Sequence, residues 1–172
     1  MKLSLITRLG ISYFQQGKYR LTCETLYKAL QLDTHYKKPS LLLLLGLSYH
    51  FCFEHSKASS CFDDYISLKP RRFEGYLFQA IVSHYLKDGI SAKLLVEKAE
   101  KFEPKSHYAT LVKGKFREID GDVSGAMEVY QKVLSENQRN KVAGSFLRRA
   151  EKLNARMNKG IDVEIRRRAD IQ

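Results

Sequence analysis

Few side chains in this sequence are placed to do chemistry. His50 and His84 lie 34 residues apart, and imidazole titrates near neutrality and commonly ligates metals. Two histidines without a carboxylate or thiolate companion make a poor metal site, so a pH-dependent contact is the better expectation for them. Cys23, Cys52 and Cys61 are odd in number and contain no C-x-x-C pair. They read as reduced, buried thiols of a cytoplasmic protein rather than as disulfides or zinc ligands. No nucleophile-base-acid set, glycine-rich phosphate loop or paired carboxylates stand out, so neither an enzyme nor a cofactor is expected. Charge is the remaining chemistry. The formal net charge is +11, with the excess at the two ends and a balanced middle. Arg148, Arg149, Lys152 and Arg156, followed by Arg166, Arg167 and Arg168, form the densest cluster. It reads either as the solvated face of a terminal helix and its tail, or as an electrostatic contact with an acidic protein, an anionic membrane surface or nucleic acid.

The elements that must position these groups come from a repeat. Four windows, Leu3 to Tyr36, Pro39 to Arg72, Phe73 to Ser106 and His107 to Asn140, fall into register at a spacing of 34 residues. Such a period belongs to helix-turn-helix units that bury their apolar faces only by stacking on neighbours. Apolar residues at Leu3, Ile6, Leu9 and Tyr13 give the first helix, over 3–16, its buried stripe. Further helices are expected near 19–33, 39–52, 55–68, 73–86, 89–102, 107–120 and 123–136. The third is apolar nearly all round, which predicts cover on both sides. Val142, Phe146, Ala150, Leu153 and Met157 mark one stripe on a ninth helix over 141–159, which caps the stack, ends at Gly160 and leaves a basic tail over 160–172. With 44% hydrophobic residues the chain can bury one continuous core, and its length suggests a single domain. No apolar run is long enough to span a membrane. The N-terminal residues read as the start of the first repeat helix rather than as a signal peptide.

Small residues recur where helices must approach. Gly10, Gly46, Ala80 and Gly114 from first helices, with Ala58, Ala92 and Ala126 from second helices, keep the helix axes within packing distance. Gly17 and Gly121 sit where a first helix stops, and glycine takes the left-handed conformation there at low cost. Pro70 and Pro104 follow second helices, which a proline cannot continue.

In the first window Ile6, Leu9, Gly10, Tyr13, Gly17, Tyr19, Leu26 and Ala29 stand where tetratricopeptide repeats carry W, L, G, Y, G, Y, F and A. Leu42, Leu45, Gly46, Tyr49, Ala58, Phe62 and Pro70 repeat the pattern. Tyr76, Ala80, Ala92, Val96, Ala99 and Pro104 follow, then Gly114, Gly121, Ala126 and Tyr130. The chain therefore resembles the tetratricopeptide family over residues 3–140. The resemblance implies an all-α fold, a right-handed α-solenoid of four repeats with a capping helix. Departures are Thr22 at a small-residue position, Tyr65 and Val133 for alanine, Thr34 and Gln138 for the closing proline, and an insertion at Lys37-Lys38. Lys113 and Arg117 occupy positions where the pattern wants apolar side chains. Either that helix is turned so that Val112, Phe116 and Ile119 face inward, or the two stems snorkel.

By the same resemblance, the first helices line a concave groove. Its wall would be Thr7, Ile11, Phe14, Leu43, Leu47, His50, Leu77, Ile81, His84, Tyr108, Leu111 and Lys115. Family members that bind the C-terminal carboxylate of heat-shock chaperones use a Lys and Asn clamp where this chain has Thr7 and Ile11, so carboxylate-clamp binding is not expected. The apolar strip instead suits an extended or helical apolar peptide of another protein. A core role, the chain's own tail or a second copy forming a homodimer are the competing occupants. The windows 17–36 and 71–92 resemble the small chaperones of type III secretion translocators, although the extra N-terminal helix and acidic balance usual there are not read here. Binding of RNA or another anion by the basic ends is the alternative function, with nucleic acid the less expected partner.

Overall fold

The computed structural model describes residues 2–32, 38–104 and 106–169, and side chains over 3–32, 38–104 and 106–159. Thr34, Lys37 and the side chains of Arg166, Arg167 and Arg168 lie outside these. Among the described residues the secondary structure is wholly helical: α1 Lys2–Gln15, α2 Tyr19–Leu32, α3 Pro39–Phe51, α4 His55–Leu68, α5 Phe73–Tyr85, α6 Gly89–Phe102, α7 Tyr108–Ile119, α8 Val123–Glu136 and α9 Lys141–Ala169. The alternation of helices matches the expected repeat. The ninth helix does not stop at Gly160; its backbone stays helical to Ala169. A glycine weakens a helix but does not end one unless the chain turns there.

The chain divides into two compact units, Met1–Ser106 and His107–Gln172. The first unit holds three antiparallel helix pairs, α1/α2, α3/α4 and α5/α6. Its core gathers Cys23, Leu26, Leu41, Leu45, Phe62 and Val82. The second unit holds the pair α7/α8 with α9 packed on α8, around Leu111, Val123, Tyr130, Val133, Ala143 and Ala150. Each fully buried Leu or Phe of this kind contributes about 1.5–3 kcal/mol relative to exposure.

Within a pair, the small residue of the first helix sits under a large residue sixteen positions later. A Cβ at Gly46 would stand 2.6 Å from Phe62 Cε1, one at Gly10 2.4 Å from Leu26 Cδ2, and one at Gly114 2.6 Å from Tyr130 Cε1. The expected role of these positions follows directly from that spacing.

The turn inside each pair is built the same way four times. Lys18, Glu54, Asp88 and Asp122 each donate a backbone N–H to the carbonyl five residues earlier, on Tyr13, Tyr49, Ser83 and Arg117, at 2.9 Å. The residue just before each donor takes a positive φ: Gly17 (71°), Phe53 (62°), Lys87 (66°) and Gly121 (91°). This is the closing geometry of a helix C-terminus with one left-handed residue. Two of the four turns thus place a non-glycine where a side chain is strained.

In the second unit, Val112 is buried, Phe116 and Ile119 are half-buried, and Lys113 and Arg117 are exposed. Of the two expected arrangements of α7, the one with those three apolar residues inward is found. Along α9 the apolar stripe divides. Ala143 and Ala150 are buried, whereas Leu153 and Met157 are 37% and 44% exposed.

Candidate functional site

In the first unit the first helices lie side by side, α1 touching α3 and α3 touching α5. They offer one face. Ile11 and Phe14 from α1, Leu43, Leu47 and His50 from α3, and Ile81 and His84 from α5 are each half-buried there. Leu43 and Leu47 rest on the core beneath, because α3 has no polar side on which to turn outward. Thr7 and Leu77, expected on the wall, are only 8% and 5% exposed. They belong to the packing under the face and offer little to a partner.

The second unit treats its three expected residues differently. Tyr108 is exposed, but Leu111 is 1% exposed within the core. Lys115 Nζ donates to Glu118 Oε1 at 2.8 Å, and Arg149 donates to Glu118 Oε2 at 2.9 Å. Tyr130 donates its hydroxyl to the same carboxylate. Lys115 is therefore a largely buried structural cation rather than a groove contact. Arg149 is drawn out of the basic cluster, its guanidinium also lying 5.2 Å from the Phe146 ring. Arg148, Lys152 and Arg156 remain exposed. Burial lowers the Lys115 pKa more than Glu118 restores it, and Arg149 adds repulsion. For Glu118 burial pushes upward, but the Lys115 hydrogen bond and the two positive charges win, and its carboxyl is held below the ordinary value.

The histidines meet partners that their spacing did not announce. His50 lies 5.2 Å from the rings of both His55 and Tyr85, and His55 stacks on Tyr85 at 4.7 Å and 15°. One repeat earlier Tyr19 stacks on Phe51 at 4.4 Å and 28°. Tyr19 and His55 each open the second helix of a pair, while Phe51 and Tyr85 each close the first helix of the next pair. The stack is thus a repeated contact, continued by Phe14 against Tyr19 at 5.7 Å. Rings at the ends of helices in successive windows were the signal for it. Burial lowers the His55 pKa, and its Nδ1 is buried without a hydrogen-bond partner.

A crevice of about 750 Å³ opens between α2 and α4 over α3, with Cys23, Tyr27, Leu45, Tyr49 and Cys61 among its walls. Burial pushes the Cys23 thiol up to about 12, helped by Cys52, and burial with Asp64 does the same to Cys61. Thiols held so high stay protonated and unreactive at neutral pH. A second crevice of about 460 Å³ lies between α4 and α6 over α5, with Ser59, Asp63, Gln79, Ser83 and Lys98 among its walls. Gln79 and Ser83 stand 34 residues after Leu45 and Tyr49, at positions that are apolar in the preceding windows. That polar substitution in the third window was the legible sign of this site. Gln79 Nε2 donates to Ser59 Oγ at 2.8 Å, while Gln79 Oε1 is buried with no partner. An unsatisfied buried acceptor costs about 1–3 kcal/mol. No group of three or more His, Cys, Asp or Glu side chains able to hold a metal occurs among the described residues. No helix among them is long and apolar enough to cross a membrane.

No protein-family model and no curated protein sequence matches the chain. Its shape does match solved structures. A tetratricopeptide repeat protein from Parabacteroides merdae ATCC 43184 aligns with a TM-score of 0.67 at 18% identity, over 93% of this chain and 62% of that one. This chain thus spans less than two thirds of that protein. A thermophilic protein of the same repeat class from Thermus thermophilus aligns with a TM-score of 0.66 at 16% identity, over 91% and 84% of the two chains. The first such domain of Spaghetti (RPAP3), solved bound to the HSP90 peptide SRMEEVD, aligns with a TM-score of 0.59 at 22% identity, over 72% of this chain and 94% of that one. The helix pairs, the recurring turn and these likenesses together establish that the chain has the all-α tetratricopeptide-repeat solenoid fold.

Proposed function

We propose that the chain is a non-enzymatic protein-protein interaction module, a scaffold, adaptor or chaperone, whose first-helix face in the Met1–Ser106 unit holds an apolar peptide or helix of another protein. The observation that carries this reading is α3. Its inner side fills the core with Leu41, Leu42 and Leu45, yet its outer side presents Leu43 and Leu47, half-buried leucines with further apolar cover to gain. Ile11 and Phe14 on one flank and Ile81 on the other extend the strip. Covering such a strip, at roughly 25 cal/mol per Å² and after ordering costs, supports binding at about the micromolar level. The RPAP3 domain binds a peptide on the same fold, but this chain has buried Thr7 and apolar Ile11 where the family's carboxylate clamp would need Lys and Asn. An internal apolar segment suits it better than a charged C-terminus. Its three free thiols accord with a reducing, cytoplasmic setting.

A photo-crosslinking amino acid at position 47, compared with one at exposed position 132 of the second unit, tests the assignment in cells. Position 47 should give a discrete crosslinked protein that position 132 does not. Equal capture at both positions would remove the face from consideration.

A further inference from the structure

We propose that the crevice between α4 and α6 is a second binding site, and that it takes the guanidinium of an arginine side chain presented by a partner protein. The repeat supplies an internal comparison. Where the α2/α4 crevice is floored by Leu45 and Tyr49, the α4/α6 crevice is floored by Gln79 and Ser83. Both floor residues are 7% exposed. The preceding windows carry Leu and Tyr at these positions, and the fourth carries Lys113 and Arg117, which are exposed; only in the third window are polar side chains buried there. Gln79 donates one N–H to Ser59, and its carbonyl oxygen is buried at this floor with no donor.

The remaining walls specify what donor would complete it. Asp63 contributes a carboxylate, and the Ser59 and Ser83 hydroxyls can accept as well. Asp88 is occupied as the N-cap of α6, accepting from the Ser91 N–H at 3.0 Å. Lys98, the one cation on the wall, directs its ammonium to the Tyr76 ring, 4.8 Å from the centroid. The crevice is therefore rich in acceptors and short of donors. A guanidinium brings five N–H donors in a rigid planar fork, which suits acceptors spread over a floor and one wall better than a point-like ammonium. The half-exposed Leu86 and Leu94 at the rim would cover the aliphatic stem. Partial burial and the neighbouring Asp64 raise the Asp63 pKa, and the charge of a bound guanidinium would oppose both by favouring the ionised carboxylate.

The test is a titration of the full chain, followed by the Gln79 side-chain amide and Asp63 carboxyl resonances, with acetylated Gly-Gly-Arg-Gly-Gly amide. Saturable shifts are expected, with a dissociation constant on the order of 1 mM for so small a contact. Gln79→Leu, which installs the residue found one repeat earlier, should fold and weaken the interaction about tenfold. The surface change Asp63→Asn should weaken it too, and the same peptide with citrulline should bind less well than with arginine. Absence of saturation, equal binding to Gln79→Leu, or equal binding of the citrulline peptide would overturn the site. Tighter binding of free L-arginine than of the peptide would overturn its assignment to a partner chain.

Discussion

Arg149 of α9 reaches the Glu118 carboxylate of α7 at 2.9 Å, and that carboxylate is only 8% exposed. Two residues that sequence alone assigned elsewhere, Lys115 to a groove and Arg149 to a basic patch, are thereby joined around one buried charge. Glu118→Gln would leave Lys115 largely buried without its counter-charge and is expected to destabilise the second unit by about 2 kcal/mol. Arg149→Ala, removing a half-exposed partner, should cost less, about 0.5 kcal/mol. Urea unfolding followed by amide signals of residues 107–159 distinguishes the two.

The same carboxylate gives the second unit an acid sensitivity. Its folded pKa lies below the ordinary 4.5, so the folded state binds fewer protons than the unfolded one in that range. The associated stability is present above about pH 4.5 and is lost as the pH falls through the folded value. Glu118→Gln should flatten this part of the profile, measured as urea midpoints between neutral pH and about pH 3.

His55 governs a different window. Burial lowers its pKa from 6.5, so protonation favours the unfolded chain. Stability of the first unit should be unaffected by this group above that value and should fall as the pH drops below it. His55→Phe keeps a ring against Tyr85 and should remove the decline. Amide signals of residues 3–104, compared at about pH 7.5 and about pH 5.5, report it.

Strain at the turns predicts an opposite kind of change. Phe53 holds a φ of 62° while its side chain is 80% exposed, so little packing is lost on its removal. Phe53→Gly should stabilise the first unit by about 1 kcal/mol. Gly46→Ala should destabilise it by about 1–3 kcal/mol, because the Phe62 ring 2.6 Å from the new Cβ is itself fully enclosed. Thermal midpoints of the two variants should move in opposite directions.

The repeat was legible because its landmarks are mechanical. Gly46 and Phe62, or Gly114 and Tyr130, state a helix crossing by size alone. Turns were legible only where glycine marked them: Gly17 and Gly121 announce a left-handed residue, whereas Phe53 and Lys87 reach the same conformation through the hydrogen bonds around them. The division at Ser106 left no composition signal. Of the expected wall, the half-buried positions on α1, α3 and α5 could be read from their place in the repeat. Leu77 and Leu111 could not, since periodicity gives a side chain's direction on its helix and not the depth to which neighbours cover it. The polar floor at Gln79 and Ser83 was legible in principle, as a change from Leu45 and Tyr49 one window earlier.

Binding of an apolar protein segment across α1, α3 and α5 is tested most directly by a pull-down from native lysate. The unaltered chain is set beside Leu47→Glu/Ile81→Glu, both checked for folding by circular dichroism, at low and high salt. A discrete protein should be retained at high salt by the unaltered chain and lost by the variant, because apolar burial responds little to screening. Retention of the same protein by both would contradict groove binding, as would recovery of nucleic acid that high salt releases.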